Sequence, residues 1–343
     1  MRLIAEVGAG EYVHGGMQSD EYTEDDVTSV CCPLCDASAG TRIYTEHEVI
    51  GITGCANCGL IYTSPRLKEP ERVYWGDSEL YYAEARLIFE GRATHHRDPN
   101  YLAEIRRIER YKPTGRFLDV GCNMGMLLRL ARERGWDVTG VEPSPSLARL
   151  AQRWGFPVFN CFLNELPRDQ TGSFDVVALS DVFEHIPRPL EFLNDARRLL
   201  KHNGILYIKV PNARWSLLKQ ALLSFLGRRP KMGLWNSYEH VVHYTDKTLV
   251  QMLTKAALAV LEIAAEPPVQ TPNWHEHVGQ YYLYPTPWFM DWPRKLVRRA
   301  CHRLAAVERV GRLGGVGFLA PNLVAVATNG AQDRSGGVAE KRW

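Results

Sequence analysis

The chain has no apolar run near the roughly 20 residues needed to cross a bilayer, which argues against a transmembrane segment. Its net charge is only +2 over 343 residues, which removes a general electrostatic case for binding nucleic acid, local patches aside. Met1 to Glu11 lacks the apolar core and flanks of a secretory signal, so the expected compartment is the cytoplasm. No internal repeat is visible. Hydrophobic residues make up 45% of the chain, as in an ordinary globular protein, and the length suits one large domain plus a small one.

Against this unremarkable background the cysteines stand out. Of eight, four fall as Cys32-x2-Cys35-x19-Cys55-x2-Cys58, a spacing that places two tight thiolate-bearing turns around one tetrahedral ion. Cys31 competes with Cys32, but only Cys32 has the regular spacing to Cys35. Cys122, Cys161 and Cys301 are isolated and read as small, at least half-buried residues. Four protein ligands leave no open position, so the expected zinc is structural. A segment this short buries little core, and the metal is expected to supply its stability.

The second feature is Arg116-Phe-Leu-Asp-Val-Gly-Cys-Asn-Met-Gly125. A short apolar run ends in Asp119, a glycine-bearing turn follows, and a helical pattern begins. Such a strand-turn-helix unit brings a small ligand close to backbone at the carboxyl end of a strand. A second strand, Trp136 to Val141, ends in Glu142-Pro143-Ser144. A carboxylate there can accept both hydroxyls of a ribose. The alternative is a solvated Glu142 beside a helix capped by Ser144 or Ser146.

With these residues in register, the chain resembles the class I S-adenosylmethionine-dependent methyltransferases. The resemblance rests on Leu118 to Cys122, Gly140 to Ser144, Phe174 to Val177, Val182 to Ile186, Leu199 to Gly204 and Val210 to Asn212, in order and spacing. It implies a doubly wound, mostly parallel, seven-stranded Rossmann-like α/β sheet, here with a small N-terminal zinc module. It also implies S-adenosylmethionine as cofactor, held by Asp119, Gly121, Asn123, Gly125, Glu142 and Pro143. Cys161, Phe162 and Leu163 would lie in the adenine loop, with Ser180 and Asp181 beside the methionine moiety. Asn123 departs from the pattern, standing where the family has a glycine.

Periodicity predicts helices over 74–92, 100–111, 125–134, 146–154, 189–201 and 245–257. It predicts strands over 116–120, 136–142, 157–160, 174–179, 204–210, 260–264 and 323–328. The expected organisation is a loose arm over 1–30, a zinc knuckle over 31–66, a methyltransferase domain over 67–329 and a disordered tail over 330–343. Inserts near 213–240 and 266–320 carry Trp215, Trp235, Trp274, Tyr281, Trp288 and basic residues, suited to ring stacking and anion pairing. The same inserts leave open a homodimer contact or a membrane-surface helix. Tyr81 and Tyr82 are read either as closing over the site or as ordinary helix packing.

For a hydroxyl acceptor the protein must remove a proton, and histidine titrates in the useful range. The candidates are His240, His243 and His185, the last read as more structural than basic. His240 and His243 stand three apart and could instead form a metal pair, although no third ligand is evident in the sequence. The expected reaction is O-methylation of a sugar, glycan or natural-product-like small acceptor. The alternatives are C-methylation of a nucleotide sugar, RNA base methylation with the knuckle as reader, and a non-catalytic binding protein on the same fold.

Overall fold

The computed structural model describes residues 22–46, 48–69, 85–92, 94–95, 97–227, 234–266, 296–297, 299–305, 307–308 and 316–330. The expected helix start at 74–84, with Tyr81 and Tyr82, most of the second insert and the 331–343 tail lie outside these residues.

Strands β6 (Arg116–Val120), β9 (Phe174–Ser180) and β10 (Leu200–Pro211) carry buried apolar runs at Phe117–Leu118, Val176–Leu179 and Ile205–Ile208, the pattern of strands covered on both faces. With β7 (Asp137–Val141), β8 (Val158–Phe159), β12 (Ala259–Glu266) and β13 (Asn322–Thr328) they form one seven-stranded sheet, ordered β12-β13-β10-β9-β6-β7-β8. The run from β8 to β10 is parallel. Strand β13 is antiparallel to both of its neighbours.

Alternate residues along each strand face opposite sides. Leu118, Val120, Val177, Leu179 and Ile208 share one apolar cluster with Leu193 of α4 (Pro189–Leu199) and Leu249 of α6 (Asp246–Lys255). Phe117, Val176, Ala178 and Tyr207 join a second cluster with Ile105 of α1 (Asp98–Glu109) and Leu128 of α2 (Met126–Glu133). Helix α3 (Pro145–Arg153) follows β7, and α5 (Ala213–Phe225) forms the first insert. The expected 189–201 helix stops at Leu199 because β10 begins at once. Thr245, rather than Asp246, caps α6, its Oγ1 accepting the Thr248 amide at 3.1 Å.

The cysteine-bearing segment builds a four-stranded antiparallel sheet: β2 (Gly40–Glu46), β3 (Ile50–Cys55), β4 (Ile61–Thr63) and, from the other end of the chain, β11 (Val242–His243). Cys32, Leu34, Leu60 and Tyr62 belong to the same apolar cluster as the large sheet. The small module therefore shares a core instead of depending on the metal alone for burial. Residues expected in a loose arm are drawn in as well: β1 (Val27–Thr28) pairs with β5 (Arg66–Leu67).

At the carboxyl edge of the large sheet Lys209 is fully buried, with Nζ 3.1 Å from Glu104 and 3.0 Å from Asp181. Arg97 also pairs with Asp181. Removing one partner of a buried pair leaves an uncompensated charge. Lys209→Met should therefore destabilise the fold by about 3–5 kcal/mol, read from the urea midpoint. An unchanged midpoint would show that the ion pairs are dispensable.

Candidate active site

The turn after β6 is shaped by left-handed backbone. Gly121, Asn123 and Gly125 have φ of 70°, 50° and 87°. The Gly121 and Cys122 amides donate to the Val141 carbonyl at 2.8 and 3.1 Å, holding the turn against the end of β7. A Cβ on Gly121 would come within 2.7 Å of a Val182 methyl. Asn123 takes the conformation a glycine would, and asparagine is among the side chains that best tolerate it. Its Oδ1 accepts the Met124 amide at 2.6 Å, folding the side chain back onto its own turn. The departure from the family pattern is thus conformationally conservative.

Glu142 lies at the end of β7, its Oε2 accepting the Asn123 amide and its Oε1 the Ser144 amide, both at 2.9 Å. Burial raises its pKa and these two amides oppose the rise. Asp119, 3% exposed, ends β6 beside it. Burial, then Glu104 and Glu142, push the Asp119 carboxyl well above the ordinary range. The Asn160 amide donates to the carbonyls of Glu142 and Pro143 at 2.9 and 3.0 Å, tying the following loop to the same edge. In that loop Cys161 is half-buried, Leu163 is core, and Phe162 is 44% exposed, so Phe162 is not a core residue.

Ser180 ends β9 with a buried hydroxyl that has no hydrogen-bond partner among the described residues. Asp181 has a φ of 56°, and its amide donates to the Lys209 carbonyl at 3.0 Å. Its carboxylate is engaged by Arg97 and Lys209, which overcome burial and hold it below the ordinary range. Nothing in the sequence marked Arg97, since a lone arginine ahead of a helix has no distinguishing pattern.

The three histidines converge, although His240 and His243 lie in a loop and a short strand, not on a helix. Ring centroids are 4.7 Å apart for His185 and His240 and 6.5 Å for His240 and His243. His185 Nδ1 meets the Glu239 carbonyl at 3.0 Å. A carbonyl only accepts, so Nδ1 carries the proton and Nε2 keeps its lone pair. His243 Nε2 lies 3.1 Å from Thr63 Oγ1. Burial lowers the pKa of all three: His243 to about 3, and His240, aided by His185 and His243, well below the ordinary value.

Glu184 is buried, with Oε2 unpartnered among the described residues, and burial followed by Asp181 raises its pKa strongly. Ligand atoms of Glu184, His185 and His240 lie within 4.8 Å of one another. The fold thus assembles this trio, not the His240–His243 metal pair that the sequence spacing suggested.

A cavity of about 250 Å³ opens here, lined by Glu184, His240, His243, Trp215, Trp235 and Lys219 among others. A larger depression of about 350 Å³, at Arg86, Glu90, Arg153 and Trp154, lies at the far end of α3 from the strand edge. It is less relevant to chemistry because the turn and the acidic groups are not there.

Cys32, Cys35, Cys55 and Cys58 have sulfurs within 4.8 Å of one another, with two contacts of 3.5 Å. Four thiols at that spacing fit one tetrahedral ion. Burial pushes the Cys32 and Cys58 thiols up. At Cys35 it is outweighed by hydrogen bonds from the Ala37 amide, Asn57 and neighbouring thiols, which bring it down to about 6.

The strand order, with one antiparallel strand inserted between the fifth and sixth of a doubly wound sheet, and the acidic residues ending its first two strands define a class I methyltransferase. Residues 93–263 match a family described as "Methyltransferase domain", and the chain belongs to the S-adenosylmethionine-dependent methyltransferases through this domain.

Among curated relatives, the ubiquinone biosynthesis O-methyltransferase of Xanthomonas oryzae is 33% identical over 105 residues, covering 28% of this chain and 43% of that protein. The protein of the same name from Idiomarina loihiensis is 34% identical over 155 residues, covering 43% of this chain and 62% of that protein. The chain thus spans less than two thirds of these relatives. Similar solved structures include a putative methyltransferase in complex with the Haloferax volcanii Trm112 activator, with TM-score 0.47 and 16% identity, covering 75% of this chain and 100% of that one. Another is a Burkholderia thailandensis 1,6-didemethyltoxoflavin-N1-methyltransferase bound to S-adenosylhomocysteine, with TM-score 0.43 and 17% identity, covering 85% and 99%.

The left-handed turn gives a direct test. Asn123→Ala should cost about 1–2 kcal/mol of stability, from strain at positive φ and loss of the Met124 hydrogen bond. Asn123→Gly should cost less, because glycine adopts that φ freely. Chemical denaturation of both variants reads the difference, and equal losses would count against the conformational account.

Proposed function

We propose that this protein transfers a methyl group from S-adenosylmethionine to a hydroxyl of a small, ring-bearing acceptor. The observation that carries the reading is His240: its ring lines the cavity and makes no hydrogen bond among the described residues. His185 Nδ1 and His243 Nε2, in contrast, are each engaged in a hydrogen bond. A depressed pKa keeps His240 in its base form at neutral pH.

When bound, S-adenosylmethionine supplies an electrophilic sulfonium methyl. Asp119, Gly121, Asn123, Gly125 and Glu142 are the proposed cofactor-holding residues, with Pro143, Cys161, Phe162, Leu163, Ser180 and Asp181 around them. The Asp119 carboxyl and the Glu142 oxygens offer acceptors suited to hydroxyl and amino donors. His240 takes the acceptor's hydroxyl proton as the oxygen–carbon bond forms and the carbon–sulfur bond breaks, its electron pair leaving on sulfur. Much of the remaining rate comes from alignment in the cavity. Trp215 and Trp235 in its wall favour a ring, because indole faces stack on planar or sugar rings. The names of the O-methyltransferase relatives support an oxygen acceptor, and a sugar, glycan or natural-product phenol fits this chemistry. The four cysteines hold a structural zinc in this reading.

Isotope-labelled cofactor offered with a panel of phenols, glycans and nucleotide sugars tests the reaction; no label transfer to any hydroxyl would argue for a different acceptor atom. Glu142→Ala should weaken cofactor binding roughly 10- to 100-fold by calorimetry, the loss expected for a charge-assisted hydrogen bond. His240→Gln should slow turnover roughly 10²- to 10⁴-fold while leaving cofactor affinity alone. Because burial, then His185 and His243, lower the His240 pKa, the acidic limb of the pH–rate profile should fall below the ordinary histidine value of about 6.5. A limb at or above that value would exclude His240 as the base.

A further inference from the structure

We infer that Thr63, on the cysteine-bearing sheet, is a positioning residue for the histidine loop. The inference rests on the reading of that loop as catalytic. Thr63 ends β4 and is 1% exposed. Its amide donates to the Val241 carbonyl at 3.0 Å and its Oγ1 donates to the His240 carbonyl at 2.7 Å. The same Oγ1 meets His243 Nε2 at 3.1 Å.

A hydroxyl has one proton. The His240 carbonyl can only accept, so that proton is spent there. Oγ1 must then accept from His243, which fixes the His243 proton on Nε2 and leaves the lone pair on Nδ1. One threonine thus sets the height of the His240 backbone and the tautomer of His243.

The loop is held from two further directions. Glu46 of β2, 5% exposed, accepts the Trp235 amide at 2.8 Å, the Ser237 amide at 2.9 Å and the Ser237 hydroxyl at 2.7 Å. From the large sheet, the Glu184 carbonyl accepts the Val241 amide at 2.9 Å. His240 has no side-chain hydrogen bond among the described residues, so its ring is aimed through the backbone on which Thr63 acts. The module that carries the cysteines is therefore the rear support of the proposed base and of the Trp235 wall of the cavity.

The test compares Thr63→Val, which keeps the shape and loses the hydroxyl, with Thr63→Ser, which keeps the hydroxyl. Nitrogen-15 NMR of the histidine rings is read in the full-length protein. Wild type and Thr63→Ser should show His243 protonated on Nε2, and Thr63→Val should show a mixed or reversed tautomer. Turnover, with whichever acceptor the labelled-cofactor panel identifies, should fall about tenfold or more in Thr63→Val, the equivalent of one hydrogen bond. It should recover in Thr63→Ser, with cofactor affinity and bound zinc unchanged in both.

A wild-type tautomer and turnover in Thr63→Val would overturn the inference. So would loss of zinc or of cofactor binding in both variants, since Thr63 would then serve the fold alone. If Thr63→Val shifts the His243 tautomer while His240→Gln turns over normally, the base assignment fails and the positioning of the loop stands.

Discussion

An edge strand presents unpaired amides and carbonyls that must be covered. Strand β4 would be such an edge, and Val242 and His243 close it by pairing with Tyr62 and Ile61. The placement of the site depends on this pairing. It brings a segment 180 residues away in the chain against the cysteine-bearing sheet and sets Val242 and His243 of the added strand in the cavity wall. Without it, His240 would lose the backbone support that Thr63 gives from the end of β4.

The carboxyl edge of the large sheet is crowded with acids. Glu104 and Glu142 act on Asp119, and Asp181 acts on Glu184, while Arg97 and Lys209 act on both Asp181 and Glu184. The protein divides the burden. Asp181 keeps its charge by pairing, while burial drives Asp119 and Glu184 toward their neutral forms. Parallel strands and positive-φ turns focus these groups at one end. The Arg97–Asp181–Lys209–Glu104 chain also ties the start of α1 to the ends of β9 and β10, so the same charges that shape the site hold its walls together.

Features set by local sequence were legible in advance. Asp119 to Leu128 takes in the end of a strand, a tight turn and the start of a helix within ten residues. The cysteine spacing is similarly local. Asn123 was harder to read: whether its side chain would meet a ligand depended on φ, and φ at that position follows from the Gly121 and Cys122 amides reaching the Val141 carbonyl. Arg97, Thr63 and Glu46 carried no pattern at all, because each acts on a partner more than 80 residues away. The histidines illustrate the same limit, since their spacing of three suggested a helical pair while the chain there is extended and pairs with a distant strand.

The sequence by itself determined the alternation of strands and helices along the chain, the glycine-bearing turn after Asp119 and the four-cysteine spacing, because hydrophobic period, turn residues and ligand spacing act over a few positions. Only the tertiary structure decided that the His240 ring makes no hydrogen bond among the described residues, that His243 is held by Thr63, that Glu184 joins His185 and His240, and that the small module shares its core with the large one. Those outcomes depend on hydrogen-bond donors and acceptors meeting across the fold, and a linear pattern does not record which donor will reach which acceptor.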